Sequence, residues 1–378
     1  MADGRTLIER LRLTNFRSYP QLDVALADRT VLVGQNAAGK TNILEALYLL
    51  SSTKSFRADR EREMIRWGES AGHVAASVRR GDTLHELSCG LGLGTRAIKK
   101  RFMVDGTKRP TSSLPAFLPA ALFSADDVRL IDGAPGRRRR ALDLVIGQGS
   151  AKYLEALRLY GRVLASRNRL LERIRDGEAG RDELEYWDAQ LVEAATVILA
   201  GRQRFTEFLN DRLTDRYQAI APRTTDKLTV SYEPLTTDPA MDIPRGLERD
   251  IAVGTTTVGP HRDDWKLLLG NRPLSSFGSG GEFRTGMLAF RMGEAAWLEA
   301  ELGTVPVILL DDVFSELDAN RREALLSTLP ETQVIITTPE RREIPASFTR
   351  AAVINVSKDQ QETVSEVVAK EAEGQDHV

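Results

Sequence analysis

The sequence predicts an α/β fold in which a parallel core sheet and a mixed sheet share one chain with an inserted, mainly helical second lobe. Three observations carry that prediction. A short apolar strand at residues 30–33 runs into a glycine-rich loop and then a periodic helix beginning near Ile43. A wholly apolar run at 305–310 reads as a parallel strand buried on both faces. Between them lies a long stretch with leucines at helical spacing.

The elements follow in order. Residues 7–19 and 22–26 alternate apolar and polar side chains, which suggests two short strands around a turn near Pro20. Residues 73–104 alternate between glycine-rich turns and continue as a meander. After a glycine–proline turn at 133–136, Leu154, Leu157, Leu164 and Leu171 recur at helical spacing up to a break at 176–180. A second periodic run holds Trp187, Leu191, Ala194, Ile198, Phe205 and Phe208. The short connection makes the two helices antiparallel neighbours, and their apolar stripes read as lobe core rather than a ligand box. Strand-like segments resume at 227–232 and 265–269, an amphipathic helix covers 284–302, and a further buried strand runs at 333–337. The expected division is 1–120 and 251–369 for the two parts of the sheet-bearing head, 121–250 for the inserted lobe, and 370–378 for a disordered acidic tail. The helical run is far too short for long coiled-coil arms.

Bulk composition sets limits. Across 378 residues, 52 Lys and Arg face 54 Asp and Glu, and a net charge of -2 supplies no field that would draw the whole molecule onto a polyanion. A nucleic-acid surface is therefore expected as a local patch. Cys89 stands alone and forms no internal disulfide, which fits a reducing compartment. The first residues lack the apolar core of a signal peptide, and no run approaches the roughly 18 apolar residues of a membrane span. The expected location is the cytoplasm, with no membrane partner.

Three segments carry chemistry. Gly34, Gln35, Asn36, Ala37, Ala38, Gly39, Lys40 and Thr41 fit the phosphate-loop pattern between a strand and a helix. There, backbone N–H groups and a helix N-terminus face phosphate oxygens, Lys40 neutralises β/γ charge, and Thr41 presents its hydroxyl to Mg²⁺. Asp311 and Asp312 end the second buried strand, where Asp311 would join Thr41 in holding Mg²⁺ and Asp312 would polarise the attacking water. Lys40, Asp311 and Asp312 are thus the candidate catalytic groups. Ser279, Gly280, Gly281 and Glu282 precede a helix and resemble the Leu-Ser-Gly-Gly-Gln signature that meets the γ-phosphate of a facing subunit. Gly278 stands in place of the leucine and Glu282 in place of the glutamine, so Glu282 is expected to point away from the triphosphate or to slow the site. Ser315, Glu316, Leu317 and Asp318 match the D-loop of the same class. Thr337 and Thr338 end a strand where many ABC proteins carry a switch histidine, and Thr338 is the candidate substitute. Together these segments predict an ABC-type P-loop ATPase head that binds ATP and Mg²⁺.

Three further stretches narrow the class: 13–19 (Leu-Thr-Asn-Phe-Arg-Ser-Tyr), Asp132 through Asp143 with its run Arg137 to Arg140, and 258–264 (Val-Gly-Pro-His-Arg-Asp-Asp). With the phosphate loop and the Asp-Asp-Val-Phe-Ser-Glu-Leu-Asp run, they resemble the RecF family of recombination mediators over about residues 7 to 339. The resemblance implies a DNA-binding protein of replication and recombinational repair. It implies binding to single-stranded, gapped and duplex DNA, a homodimer when ATP-bound, and a weak DNA-stimulated ATPase. It also implies work with RecR, RecO and RecA and support of the SOS response.

Arg137 to Arg140 read either as phosphate contacts or as a solvated helix face. His261 reads as a structural hydrogen-bonding residue rather than a base or ligand, and Arg17 is a candidate neighbour of the nucleotide. The alternative function is the ATPase subunit of an ABC transporter. It is disfavoured because no aromatic adenine-stacking residue, glutamine loop or switch histidine is legible. A nuclease is disfavoured because no additional carboxylate cluster has metal-site spacing.

Overall fold

A computed structural model describes residues 5–58, 60–94, 98–124, 127, 133–221, 225–348 and 350–357. Asp132 and the tail 370–378 lie outside the described residues. The chain divides into two compact units, one made of residues 1–127, 216–224 and 287–378, the other of 128–215 and 225–286.

In the first unit the N-terminal alternation becomes β1 (Thr6–Phe16) and β2 (Tyr19–Ala25), followed by β3 (Arg29–Val33). The turn falls at Arg17 and Ser18, two to three residues before Pro20, near which the sequence suggested it, and Arg17 takes a positive φ of 54°. Pro20 is instead inside β2, which is tolerated because β2 is the edge strand of its sheet and part of its ladder edge is unpaired. That sheet continues through β4 (Ala71–Arg80), β5 (Thr83–Leu93), β6 (Ile98–Val104) and β7 (Thr107–Lys108) in the order β2-β1-β4-β5-β6-β7. Expected to be mixed, it is antiparallel in every pair, because tight turns join most consecutive strands.

The second sheet of this unit is parallel throughout, in the order β14-β3-β13-β12-β8, formed with β8 (Ala120–Ser124), β12 (Val307–Asp311), β13 (Val334–Thr338) and β14 (Ala352–Asn355). All five residues of β12 and of β13 are buried, which explains the unbroken apolar runs at 307–310 and 334–336. Phe123, Ile308, Leu310, Phe314 and Ile336 share one core cluster there. Burying each such side chain stabilises the sheet by about 1.5–3 kcal/mol. Helix α1 (Lys40–Ser52) leaves β3 through the phosphate loop, with nearly every side chain buried.

In the second unit, helices α2 (Pro135–Gly149), α3 (Ala151–Arg175) and α4 (Leu184–Asn210) precede a three-stranded antiparallel sheet. Its strands are β9 (Leu228–Glu233), β10 (Asp264–Leu269) and β11 (Arg272–Pro273); along the sequence α5 (Leu213–Ile220) precedes β9, and α6 (Pro239–Arg245) and α7 (Leu247–Val253) lie between β9 and β10. The start of α3 meets the end of α4: a Cβ on Gly201 would lie 2.5 Å from the Tyr153 ring. The end of α3 meets the start of α4 through Arg167 and Asp188 and through Leu170, Leu171 and Leu184, so the two helices run antiparallel as expected. This unit extends to Gly286, beyond residue 250 where the sequence reading closed the lobe, because β10 pairs with β9 and holds residues 251–286 with the helices. The boundary falls inside α9 (Gly280–Leu302), which follows the single turn α8 (Leu274–Phe277). Among the described residues no helix is long and apolar enough to cross a membrane.

Candidate nucleotide site

The phosphate loop is shaped by its own backbone. A Cβ on Gly34 would sit 2.1 Å from the Val356 carbonyl oxygen, and Gly39 has φ 108°, so both positions require glycine. The loop wraps around Lys40, whose ammonium donates to the carbonyls of Gly34 (2.5 Å) and Gln35 (3.0 Å). Burial lowers the lysine's pKa, against the opposing pull of Asp312, Asp311 and Glu343.

At the next residue, the Thr41 hydroxyl donates to Asp311 Oδ1 at 2.9 Å, across 270 positions of sequence. The Thr337 hydroxyl donates to the same Oδ1 at 2.9 Å and accepts the Asp312 N–H at 2.9 Å. β12 and β13 are parallel with Asp311 opposite Thr337, so one threonine clamps both aspartates. Burial pushes both carboxyl pKa values up, most directly by opposing the ionised form. Asp312 has φ 53°, and its buried Oδ1 has no hydrogen-bond partner. A buried polar atom of that kind calls for an unseen ligand, water or ion.

The donor set suits magnesium. Thr41, Asp311 and Asp312 offer oxygens only, as a hard divalent cation prefers, and Mg²⁺ commonly keeps water and phosphate as its remaining ligands. Among the described residues no group of three or more His, Cys, Asp or Glu could hold a metal ion.

Around the pair, the Ser315 hydroxyl donates to the Asp312 carbonyl (2.8 Å), and Asp318 caps α10 (Ala319–Thr328) by accepting from Arg321 N. Thr338 does not face outward alone: its hydroxyl lies 2.5 Å from Glu343 Oε2.

Arg17 is held by Glu45, a fully buried carboxylate on α1, through bonds of 2.8 and 2.7 Å. It also lines a cleft of about 550 Å³ with Ser18, Asn42, Arg57, Arg66 and Trp67. Asn42 follows Thr41 directly, so the cleft adjoins the phosphate loop. Trp67 is 96% exposed, its ring uncovered. Sequence reading missed Trp67 because it belongs to no spaced pattern; its one signal is a tryptophan among the arginines at 57, 60, 62 and 66.

The signature-like segment lies in the other compact unit. The Ser279 N–H and hydroxyl both donate to Glu282 Oε2 at 2.7 Å, while the Glu282 N–H donates back to the Ser279 hydroxyl at 3.3 Å. This capping box opens α9. Glu282 therefore turns onto Ser279, and the backbone bond from Ser279 lowers its pKa. Gly278 replaces the usual leucine because a Cβ there would meet the Leu274 carbonyl oxygen at 2.7 Å.

The Gly-Pro-His-Arg-Asp-Asp stretch is structural. His261 lies 3.1 Å from the Thr256 carbonyl through Nε2 and 2.7 Å from the Tyr160 hydroxyl through Nδ1, and burial lowers its pKa. A carbonyl only accepts, so Nε2 donates and Nδ1 accepts the hydrogen bond from the Tyr160 hydroxyl. Asp263 accepts from buried Arg202 (2.9 Å), and Asp264 pairs with Arg138 through two bonds of 2.8 and 2.6 Å. Arg139 donates to the Asp263 carbonyl, so two of the four arginines in the run are tied down, while Arg137 and Arg140 are exposed.

Comparison with known proteins places the chain in a family. Residues 7–365 match the RecF/RecN/SMC N terminal domain family. A DNA replication and repair protein RecF from Agathobacter rectalis is 35% identical, covering 95% of this chain and all of that protein. A solved structure of the recombination mediator protein RecF with ATP, in the RecFOR pathway, superposes with a TM-score of 0.85 at 28% identity, covering 94% of this chain and 97% of that one. The Smc head domain of Pyrococcus furiosus shares the fold, with a TM-score of 0.53 at 18% identity over 97% of this chain and 96% of that one.

Proposed function

From the premise that this chain belongs to the RecF family, we propose that it is an ATP-switched DNA-binding protein of DNA replication and recombinational repair. The observation that carries the reading is the convergence of Thr41 and Asp311 on one hydrogen bond beside Lys40, with an orphaned Asp312 oxygen next to them. Such a cradle fits a magnesium triphosphate.

In this reading Lys40 and the loop N–H groups hold the β- and γ-phosphates, and Thr41 and Asp311 hold Mg²⁺, which supplies charge neutralisation on the phosphate oxygens. Asp312 accepts a hydrogen bond from the attacking water and orients it. Burial suits it to that role, because a carboxylate deprived of solvation is a stronger base. The cleft beside Asn42 takes the nucleoside end, with Trp67 as a stacking surface for the base. The Ser279 segment of a second copy covers the γ-phosphate, so ATP is shared between copies and stabilises the homodimer by mass action. Glu282 occupies the Ser279 donors in the single chain and must rotate off them for that contact, which fits a slow, DNA-stimulated ATPase. The family resemblance supports binding to single-stranded, gapped and duplex DNA, and work alongside RecR, RecO and RecA in the SOS-linked pathway.

Sedimentation velocity of the wild type and Lys40→Ala, with and without ATP, tests this directly. The wild type is expected to shift to a dimer with ATP and Lys40→Ala to remain monomeric. A wild type that sediments identically in both conditions refutes the shared-ATP reading.

A further inference from the structure

Arg272 and Glu282 bracket nine residues, 273–281, that carry no charge, in a chain where 28% of residues are charged. Most of that stretch is open to solvent: Ser275, Ser276, Phe277, Ser279 and Gly280 are exposed, and Phe277 keeps 68% of its surface uncovered. The segment is nonetheless firmly held. Leu274 is buried, and a Cβ on Gly286 of α9 would meet its Cδ2 at 2.5 Å. The Gly278 N–H donates to the Leu274 carbonyl at 3.0 Å and closes the single turn α8. The turn is fixed by its leucine while its phenylalanine stays in water. An exposed, charge-free surface with one aromatic has the composition of an interface core, where charged residues are depleted and aromatic ones enriched.

The other half-site matches it. Gln35, Asn36 and Ala37 of the phosphate loop are exposed and uncharged, whereas Lys40 is buried. Two such faces meet without stripping water from a charge, the step that most opposes burial of a polar surface. We propose that Phe277 is the apolar anchor of the homodimer, buried against the rim of the second copy's phosphate loop when ATP joins the two. This rests on the shared-ATP reading given above. In that reading Ser279 meets the γ-phosphate held by the facing copy. Phe277 is two residues away, so its Cα lies within about 7 Å of the Ser279 Cα. A ring tethered so closely to the contact leaves solvent as Ser279 closes on the other copy. The water it releases adds an apolar contribution to an association otherwise made of phosphate contacts and hydrogen bonds.

Sedimentation velocity over a range of chain concentrations with Mg²⁺ and ATP gives the dimer Kd, and equilibrium dialysis of dilute chain gives the ATP Kd of a single copy. Phe277→Ala is expected to raise the dimer Kd about a hundredfold, roughly tenfold for each of the two rings that a two-fold dimer buries. Its single-copy ATP Kd is expected to stay within about twofold of wild type, as for a surface substitution. Phe277→Leu keeps an apolar side chain and is expected to raise the dimer Kd by less than about tenfold. Tyr186→Ala removes a ring of similar exposure, 64%, outside the signature segment and is expected to dimerise as the wild type does. The proposal is overturned if Phe277→Ala dimerises like wild type, if Tyr186→Ala loses as much, or if Phe277→Leu is as weak as Phe277→Ala. Weakened ATP binding by dilute Phe277→Ala also overturns it, since the ring would then act within one copy. Failure of the underlying reading looks different: the wild type itself then forms no ATP-driven dimer, and the proposal falls with it.

Discussion

At the scale of single residues, the site divides into groups that local sequence reveals and groups that only packing reveals. Gly34, Gly39, Lys40 and Thr41 are legible because a phosphate-wrapping backbone demands glycine at set positions, and Asp311 and Asp312 because buried strands seldom end in acids. Trp67 has no such signature. Its proposed role comes from the exposed ring and from a cleft that begins beside Asn42. Stacking of a base on an aromatic ring contributes about 1–3 kcal/mol. Trp67→Ala is accordingly expected to weaken ATP and ADP by a similar factor, on the order of tenfold each, in calorimetric titration. Loss confined to ATP would place the ring at the phosphate end and contradict the assignment. The hold of Thr337 on both aspartates and the bond from Thr338 to Glu343 escaped notice for the same reason as Trp67: the partners lie on another strand or turn, and no spacing rule connects them.

At the scale of elements, alternation gave most strands and leucine spacing gave the helix pair, because both patterns follow from which face is buried. The errors are also physical. Pro20 read as a turn because proline breaks ladders, yet an edge strand accommodates it; and a lobe boundary at 250 ignored that β9 must pair with β10. Helix α9 holds a feature that no pattern announces. Arg291 and Glu294 are joined by a 2.6 Å bond, Arg291 bonds Asp127 at 3.0 and 2.6 Å, and Glu294 Oε1 is buried with no partner. Burial raises the Glu294 pKa from 4.5 to about 7, Arg291 opposing. A carboxyl that binds its proton more tightly in the folded chain adds stability below about pH 4.5, and that contribution is lost as pH rises through about 7. Urea unfolding from pH 5 to 8 is expected to show a stability component falling by on the order of 3 kcal/mol, absent in Glu294→Gln. If the variant retains the full slope, Glu294 is not its source.

For the whole molecule, the proposed DNA binding raises the question of how a chain with a net charge of -2 would hold a polyanion. A uniform field is excluded by the near balance of 52 basic and 54 acidic residues, so affinity must come from local arrays of arginine and lysine. Arg137 and Arg140 remain exposed after Arg138 and Arg139 are committed to Asp264 and Asp263, and in the proposed ATP-joined dimer such exposed cations on each of two copies would add. Each phosphate neutralised releases counterions and adds roughly -0.9 to the slope of log K against log salt on duplex DNA. Binding is therefore expected to be weak without nucleotide and to strengthen with ATP. The ATP-bound form should also show the steeper salt slope, because doubling the chain doubles the contacts while the net charge stays slightly negative. Fluorescence anisotropy of labelled duplex at several salt concentrations, with ATP, ADP and no nucleotide, measures both. Arg137→Ala with Arg140→Ala should flatten the ATP-state slope and leave ATP-driven dimerisation intact. Equal slopes in all three nucleotide states would mean that the charges meeting DNA are already in place on the single chain, and that ATP does not assemble the DNA-binding surface.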